Sequence, residues 1–222
     1  MLAHVICLVI GYFCGCISGG YLVGRAYHMD IRTKGSGNAG TTNVLRNLGK
    51  GPALLTFLCD LAKAIIPILV IRLAINPEDW YLWSLYCGLG VVLGHNYPFY
   101  LGFKGGKGIA VTAAVVLSAC NPWVIPFGLT IFIAAVVITR YVSVGSLLVA
   151  WYIPVNTWIW HREDPLFIHM MVISLLFTAF AYFQHRQNIV RLIHGNENKL
   201  WGDKKKEESV TNQDSNQDKR EK

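Results

Sequence analysis

Long apolar runs alternate with short polar ones along this chain, and a membrane-spanning helix needs about 20 predominantly apolar residues. Five runs come near that length, at residues 3–27, 52–75, 80–101, 141–160 and 165–184. A sixth, shorter one covers residues 124–139. Between Gly108 and Cys120 lies a further apolar piece, closed by Asn121-Pro122. Its dozen or so residues make roughly 18 Å of helix, enough for a half-helix or a tilted short span. Counted as a crossing, it gives an all-α polytopic membrane protein with about seven transmembrane helices, one of them short. Three polar stretches then share one side: residues 28–51, residues 102–108, and everything from His185 onward.

Charge orients this arrangement. Of the 20 Lys and Arg residues, all but Lys63, Arg72 and Arg162 fall on the side of the three polar stretches. The excess of Lys and Arg on cytoplasmic loops places that side inside, so the N-terminus is expected outside and the C-terminus in the cytoplasm. Glu78-Asp79 and Glu163-Asp164 lie in the opposite loops. The net charge of +7 therefore reports topology before it reports any nucleic-acid partner. Apolar residues make up 53% of the chain and charged ones only 15%, which leaves no room for a separate soluble domain. We expect one integral membrane domain over residues 1–201. Residues 202–222 carry many charges and a single large apolar residue, Val210, and are expected to be a disordered, dispensable cytoplasmic tail. The start of the chain lacks the basic residues of a cleavable signal, so the first helix is expected to stay in the membrane. The six cysteines lie in apolar segments without Cys-x-x-Cys spacing, and we read them as packing residues.

The candidate chemistry lies in the polar stretches. Gly102-Phe103-Lys104-Gly105-Gly106-Lys107-Gly108 places glycines and two lysines at the start of an apolar helix. Each glycine costs roughly 1 kcal/mol against alanine inside a helix, so these positions serve backbone freedom. Bare amides at a helix start, with lysines beside them, suit a phosphate. A nucleotide P-loop is excluded, because Gly108 follows Lys107 where that motif has Ser or Thr. A flexible basic turn is the plain alternative. The first polar stretch runs from Gly35-Ser36-Gly37-Asn38 to Arg46, where Ser36, Thr42 and Asn43 can hydrogen-bond an anion and Arg46 can grip phosphate oxygens. In the third, His185, Asn188 and Leu192 share one helix face. Asp60 and Lys63 are the only charges deep in a span, on one face and able to neutralise each other; pairing and a substrate role both stay open. His4, His28, His161, His169 and His194 show no metal-ligand spacing and are read as bystanders.

Three segments together resemble the three motifs of the bacterial acylphosphate-dependent glycerol-3-phosphate acyltransferases. They are Gly35-Ser36-Gly37-Asn38 through Arg46, then Gly94-His95-Asn96-Tyr97-Pro98 into Phe103–Gly108, then His185-Arg186-Gln187-Asn188-Ile189 with Arg191-Leu192 and Gly195-Asn196-Glu197. Thr41 departs from the family's usual alanine. The resemblance implies transfer of a fatty acyl group from acyl phosphate to the 1-hydroxyl of sn-glycerol 3-phosphate, giving lysophosphatidate and phosphate, in a bacterial inner membrane with the site on the cytoplasmic face. It implies catalytic roles for Ser36, Arg46, Lys107, His185 and Asn188. Substrate contacts would come from Asn38, Thr42, Asn43, His95, Lys104, Gly105, Gly106, Gly108 and Glu197. Ser36, Arg46, His185 and Asn188 would hold glycerol 3-phosphate, and Lys104, Lys107 and the loop amides the acyl phosphate. His185, with an ordinary pKa near 6.5, is a candidate base, against a substrate phosphate taking the proton while His185 orients. Glu197 is expected to hold Arg191, Arg46 or an amide. An acyl phosphate is already activated, so no metal, cofactor or protein partner is implied beyond the two substrates and the bilayer. No His-x-x-x-x-Asp follows any of the 7 histidines, which makes acyl-CoA the weaker donor. A transporter or binding protein for a phosphorylated solute is the alternative, since broken helices also present amides to anions there.

Overall fold

The computed structural model describes residues 2–201, and every regular element among them is helical. The expected tail lies outside the described residues. Helix α1 (Leu2–Cys16) and helix α2 (Gly19–Ala26) share the first apolar run, broken where Ser18 turns to extended backbone. Helix α3 (Thr41–Leu48) is short and polar and lies between the first loop and α4 (Lys50–Leu69). One π-helical turn, Val70–Ile75, prolongs α4 until Asn76 takes a left-handed φ of 44°.

Helix α5 (Trp80–Asn96) is the axis of the fold: 13 of its 17 residues are buried. Its closest partner is α1, and glycines set that distance. A Cβ on Gly11 or Gly15 would fall 2.1 or 2.2 Å from the carbonyl oxygens of Cys87 and Val91. On the facing side, a Cβ on Gly90 or Gly94 would lie 2.1 or 2.0 Å from those of Leu8 and Tyr12. Two Gly-x-x-x-Gly pairs thus press backbone on backbone, the way helices associate in lipid, where apolar burial offers no gain. The Tyr12 hydroxyl donates to the Tyr97 carbonyl at 2.9 Å, and that of Tyr100 to the Cys16 carbonyl at 2.8 Å, pinning the end of α1 to the turn that follows α5.

The second half of the chain wraps this core. Helices α6 (Ile109–Ala119) and α7 (Val124–Thr139) are short, and α7 buries only Val124 and Val136. The run at 141–160 is two helices, α8 (Val142–Val149) and α9 (Tyr152–His161), with the Ala150 carbonyl at the break accepting from Thr178 Oγ1 at 2.7 Å. Helix α10 (Phe167–Gln184) ends in His185, and α11 (Arg186–Ile193) follows. Tyr81, Asn156, Thr157 and Ser174 form a buried hydroxyl and amide network at 2.7–3.0 Å, joining α5, α9 and α10. By length and composition, four stretches can cross a membrane: Leu2–Ala26, Lys50–Ile75, Val142–His161 and Phe167–Gln184. Helix α5, from the run at 80–101, is shorter than these at 17 residues and packs at the protein's core.

Candidate active site

The three polar stretches meet at the mouth of one cavity of about 590 Å³. Its polar end is walled by Ser36 and Arg46 from the first loop and α3, Lys107 from the glycine loop, and His185, Asn188 and Glu197 from the third stretch. Its other end is apolar, running between α6, α7 and α8 past Val116, Leu117, Leu129, Phe132 and Val149. Leu117 and Leu129 are 44% and 59% exposed, so this arm opens sideways toward the lipid face. A water-soluble anion fits one end and a hydrocarbon chain the other.

The polar end is wired through one carboxylate. Glu197 Oε1 accepts from Asn188 Nδ2 at 2.7 Å and from Ser143 Oγ at 3.3 Å. Its Oε2 accepts from Arg191 Nε at 2.8 Å. Asn188 Oδ1 in turn accepts from Lys107 Nζ, so the lysine is aimed by an amide that is itself held by Glu197. Burial pushes the Lys107 ammonium down to about 8, with Glu197 opposing and Arg191 and Arg46 adding to the fall. Burial likewise drives the His185 imidazolium down to about 4, the Ala181 carbonyl partly resisting. The ring is therefore neutral at pH 7. His185 Nδ1 lies 2.8 Å from that carbonyl and donates to it, which leaves the Nε2 lone pair free on the opposite edge. The sequence-based expectation of a base with an ordinary pKa does not hold for a histidine this buried.

The first loop is built around Asn43. Its Nδ2 donates toward the carbonyls of Ile31, Lys34 and Asn38 at 2.9–3.0 Å, and its Oδ1 accepts from Ser36 N at 3.0 Å and Asn47 Nδ2 at 3.1 Å. Asn43 is 2% exposed and fully committed to the loop, so it shapes the site without an amide to spare for a ligand. Asn38 Oδ1 caps the Gly40 amide at 2.7 Å. Ser36 and Thr42 line the cavity, and Arg46 stands exposed at its rim with a single 3.5 Å contact to the Asn198 carbonyl. The Thr41 hydroxyl is buried against the cavity with no partner among the described residues.

The glycine loop departs most from expectation. The Gly105 amide donates to the Asn96 carbonyl at 3.0 Å and the Gly106 amide to the His95 carbonyl at 2.9 Å, so neither is free to cradle phosphate. Both glycines are needed for packing instead: a Cβ would lie 2.0 Å from the His95 carbonyl at Gly105 and 1.9 Å from His95 Nε2 at Gly106. Lys104 is exposed and does not line the cavity. Gly108, at φ +81°, does, together with Ile109 and Ala110 at the open start of α6. His95 lines the cavity from beneath. Sequence reasoning missed Ser143, whose signal was slight: Ser143 and Ser146 lie three apart on one face of an apolar helix.

A cavity with a cationic head and an apolar arm in a polytopic helical membrane protein suits the joining of a soluble polar molecule to a lipid chain. A family model described as glycerol-3-phosphate acyltransferase matches residues 5–195. Relatives named glycerol-3-phosphate acyltransferase occur in Clostridioides difficile, 40% identical over 91% of this chain and 98% of theirs, and in Shouchella clausii, 39% identical over 90% and 98%. The solved integral membrane glycerol 3-phosphate acyltransferase PlsY (YgiH) superposes in its glycerol 3-phosphate form with a TM-score of 0.78 at 31% identity, covering 89% of this chain and 96% of that one. Its lysophosphatidic acid form gives 0.75. The chain belongs to the glycerol-3-phosphate acyltransferase family and is a multi-pass bacterial membrane protein.

Proposed function

We propose that this protein transfers a fatty acyl group from acyl phosphate to the 1-hydroxyl of sn-glycerol 3-phosphate, from the cytoplasmic face of the inner membrane. The continuity of a cationic head and an apolar arm within one cavity carries the reading. Glycerol 3-phosphate sits at the head, its phosphate on Arg46, with Ser36 and Asn188 beside it. The acyl chain lies in the arm between α6, α7 and α8. Its phosphate faces Lys107 and the open amides at the start of α6, whose dipole favours an anion. These donors stabilise charge developing on the carbonyl oxygen and on the departing phosphate.

The new bond forms between the glycerol hydroxyl oxygen and the acyl carbonyl carbon, and the carbonyl carbon to phosphate oxygen bond breaks. The hydroxyl proton ends on a phosphate oxygen. His185, neutral and with its Nε2 lone pair free, accepts a hydrogen bond from the attacking hydroxyl and orients it; a ring held near 4 is a weak base, whereas a phosphate dianion takes a proton near pH 6 to 7. The wealth of basic residues around these loops supports a cytoplasmic site.

Purified protein in detergent, given acyl phosphate and labelled glycerol 3-phosphate, should yield labelled lysophosphatidate and free phosphate in equal amounts. Acyl-CoA should give none. Label crossing sealed vesicles without acylated product would overturn the reading in favour of transport.

A further inference from the structure

The deepest charges of the molecule lie just behind this site. Asp60 and Lys63 of α4 and His95 of α5 are 1%, 6% and 3% exposed. Lys63 Nζ stands 2.8 Å from Asp60 Oδ1, 2.8 Å from His95 Nδ1 and 2.8 Å from the Ile17 carbonyl, which the break between α1 and α2 turns inward. An ammonium has three donors and no lone pair; this one donates to the Ile17 carbonyl, faces His95 Nδ1, and meets Asp60 Oδ1 as an ion pair without hydrogen-bond geometry. The His95 nitrogen facing it must therefore accept, which puts the ring proton on Nε2. Asp60 Oδ1 lies 3.5 Å from the same Nδ1 and by itself would draw the proton there; the nearer ammonium prevents this.

The other ring edge packs against the glycine loop. His95 lines the cavity, its Nε2 has no hydrogen-bond partner among the described residues, and it abuts Gly106, next to Lys107. Charged groups inside a span are costly, and an apolar trio would pack as well or better, so stability alone does not account for these three. We propose that Asp60 and Lys63 are positioning residues that lock His95 as its Nε2–H tautomer, so that it donates a hydrogen bond to the oxygens of the acyl phosphate beside Gly106. The donor's identity rests on the proposed function; the tautomer lock does not.

The two parts can be tested separately. In protein carrying ¹⁵N-labelled histidine, with His95 assigned by its absence from His95→Gln, the nitrogen shifts of the ligand-free wild type should report Nε2–H. Lys63→Met leaves Asp60 to draw the proton to Nδ1, so the shifts should invert. Turnover should then fall on the order of 100-fold, as when one donor to a developing oxyanion is removed. The Michaelis constant for glycerol 3-phosphate should stay within about twofold, since that substrate's contacts are elsewhere. Asp60→Asn with Lys63→Met removes both charges, avoids a lone buried carboxylate, and should recover Nε2–H and much of the turnover. His95→Gln offers an amide donor with no tautomer to choose, so adding Lys63→Met to it should cost about twofold at most. A wild-type ring protonated on Nδ1 overturns the lock. Equal losses from Lys63→Met in the wild-type and His95→Gln backgrounds would reduce the trio to packing. If wild type shows Nε2–H yet no acyl transfer from acyl phosphate, the lock stands and the functional reading fails.

Discussion

Replacing Glu197 by Gln tests whether one carboxylate sets the charge state of the site. Glu197 is 8% exposed and stands among Arg46, Lys107 and Arg191, so its neutralisation takes the cluster from two to three net positive charges. The Arg191 contact at 2.8 Å loses its charge-assisted character; with the Arg191 side chain 34% exposed, about 1–2 kcal/mol of stability should go. The functional effect is larger. Lys107 is held at about 8 by burial, with Glu197 as the group opposing the fall, so its ammonium should now titrate lower. The ammonium form is present below that pKa and is lost as pH rises through it. The alkaline limb of kcat/KM, which reports the free enzyme, should thus lie near pH 8 in wild type and at lower pH in Glu197→Gln. A displacement of one pH unit would leave about a tenth of the ammonium form at pH 8, where wild type keeps about half. Glu197→Asp, which retains the charge, should keep the limb near its original place. Rates measured from pH 5 to 10 with acyl phosphate limiting decide it. An alkaline limb that does not move in a folded Glu197→Gln would refute the reasoning.

Arg46→Ala should weaken glycerol 3-phosphate about ten- to a hundred-fold through loss of a charge-assisted contact worth about 1.5–3 kcal/mol, with acyl phosphate kinetics little changed. Gly106→Ala should do the reverse, because the added methyl meets the His95 ring at 1.9 Å and must shift the loop that carries Lys107; steady-state kinetics with each substrate varied in turn separates the two. Gly90→Val should lower the detergent melting temperature and yield of folded protein, since the Leu8 carbonyl lies 2.1 Å from the first added carbon and α1 must move away. Single cysteines introduced at positions 40 and 196, in a background without the six native ones, should label from the cytoplasm and one at 163 from outside.

Hydropathy made the helices legible, but it does not distinguish lipid from protein as the apolar surroundings of a helix. The run at 80–101 therefore reads like its neighbours although α5 is the core, and the breaks at Ser18 and Ala150 leave the apolar runs uninterrupted. Polar loops were legible as a set because Arg46, Lys107, His185 and Asn188 each need a reason to stand beside a membrane. The division of labour inside them was not. Asn43 and Gly106 are as polar or as small as any ligand-binding residue, and only their partners, the loop carbonyls and the His95 ring, reveal a structural duty. Glu197 was readable as an anchor for arginine; that it also aims Lys107 through Asn188 depends on a fold that brings residues 107, 188 and 197 together.

The sideways opening of the apolar arm at Leu117 and Leu129 has a kinetic meaning. A substrate entering there is drawn from a two-dimensional phase, so its effective concentration is a mole fraction in the leaflet and not an amount per litre. Diluting the membrane with inert lipid should slow the reaction even at constant total donor, while glycerol 3-phosphate continues to obey its bulk concentration. The lysophospholipid product, already seated with its chain among lipid chains, can spread into the leaflet without crossing water.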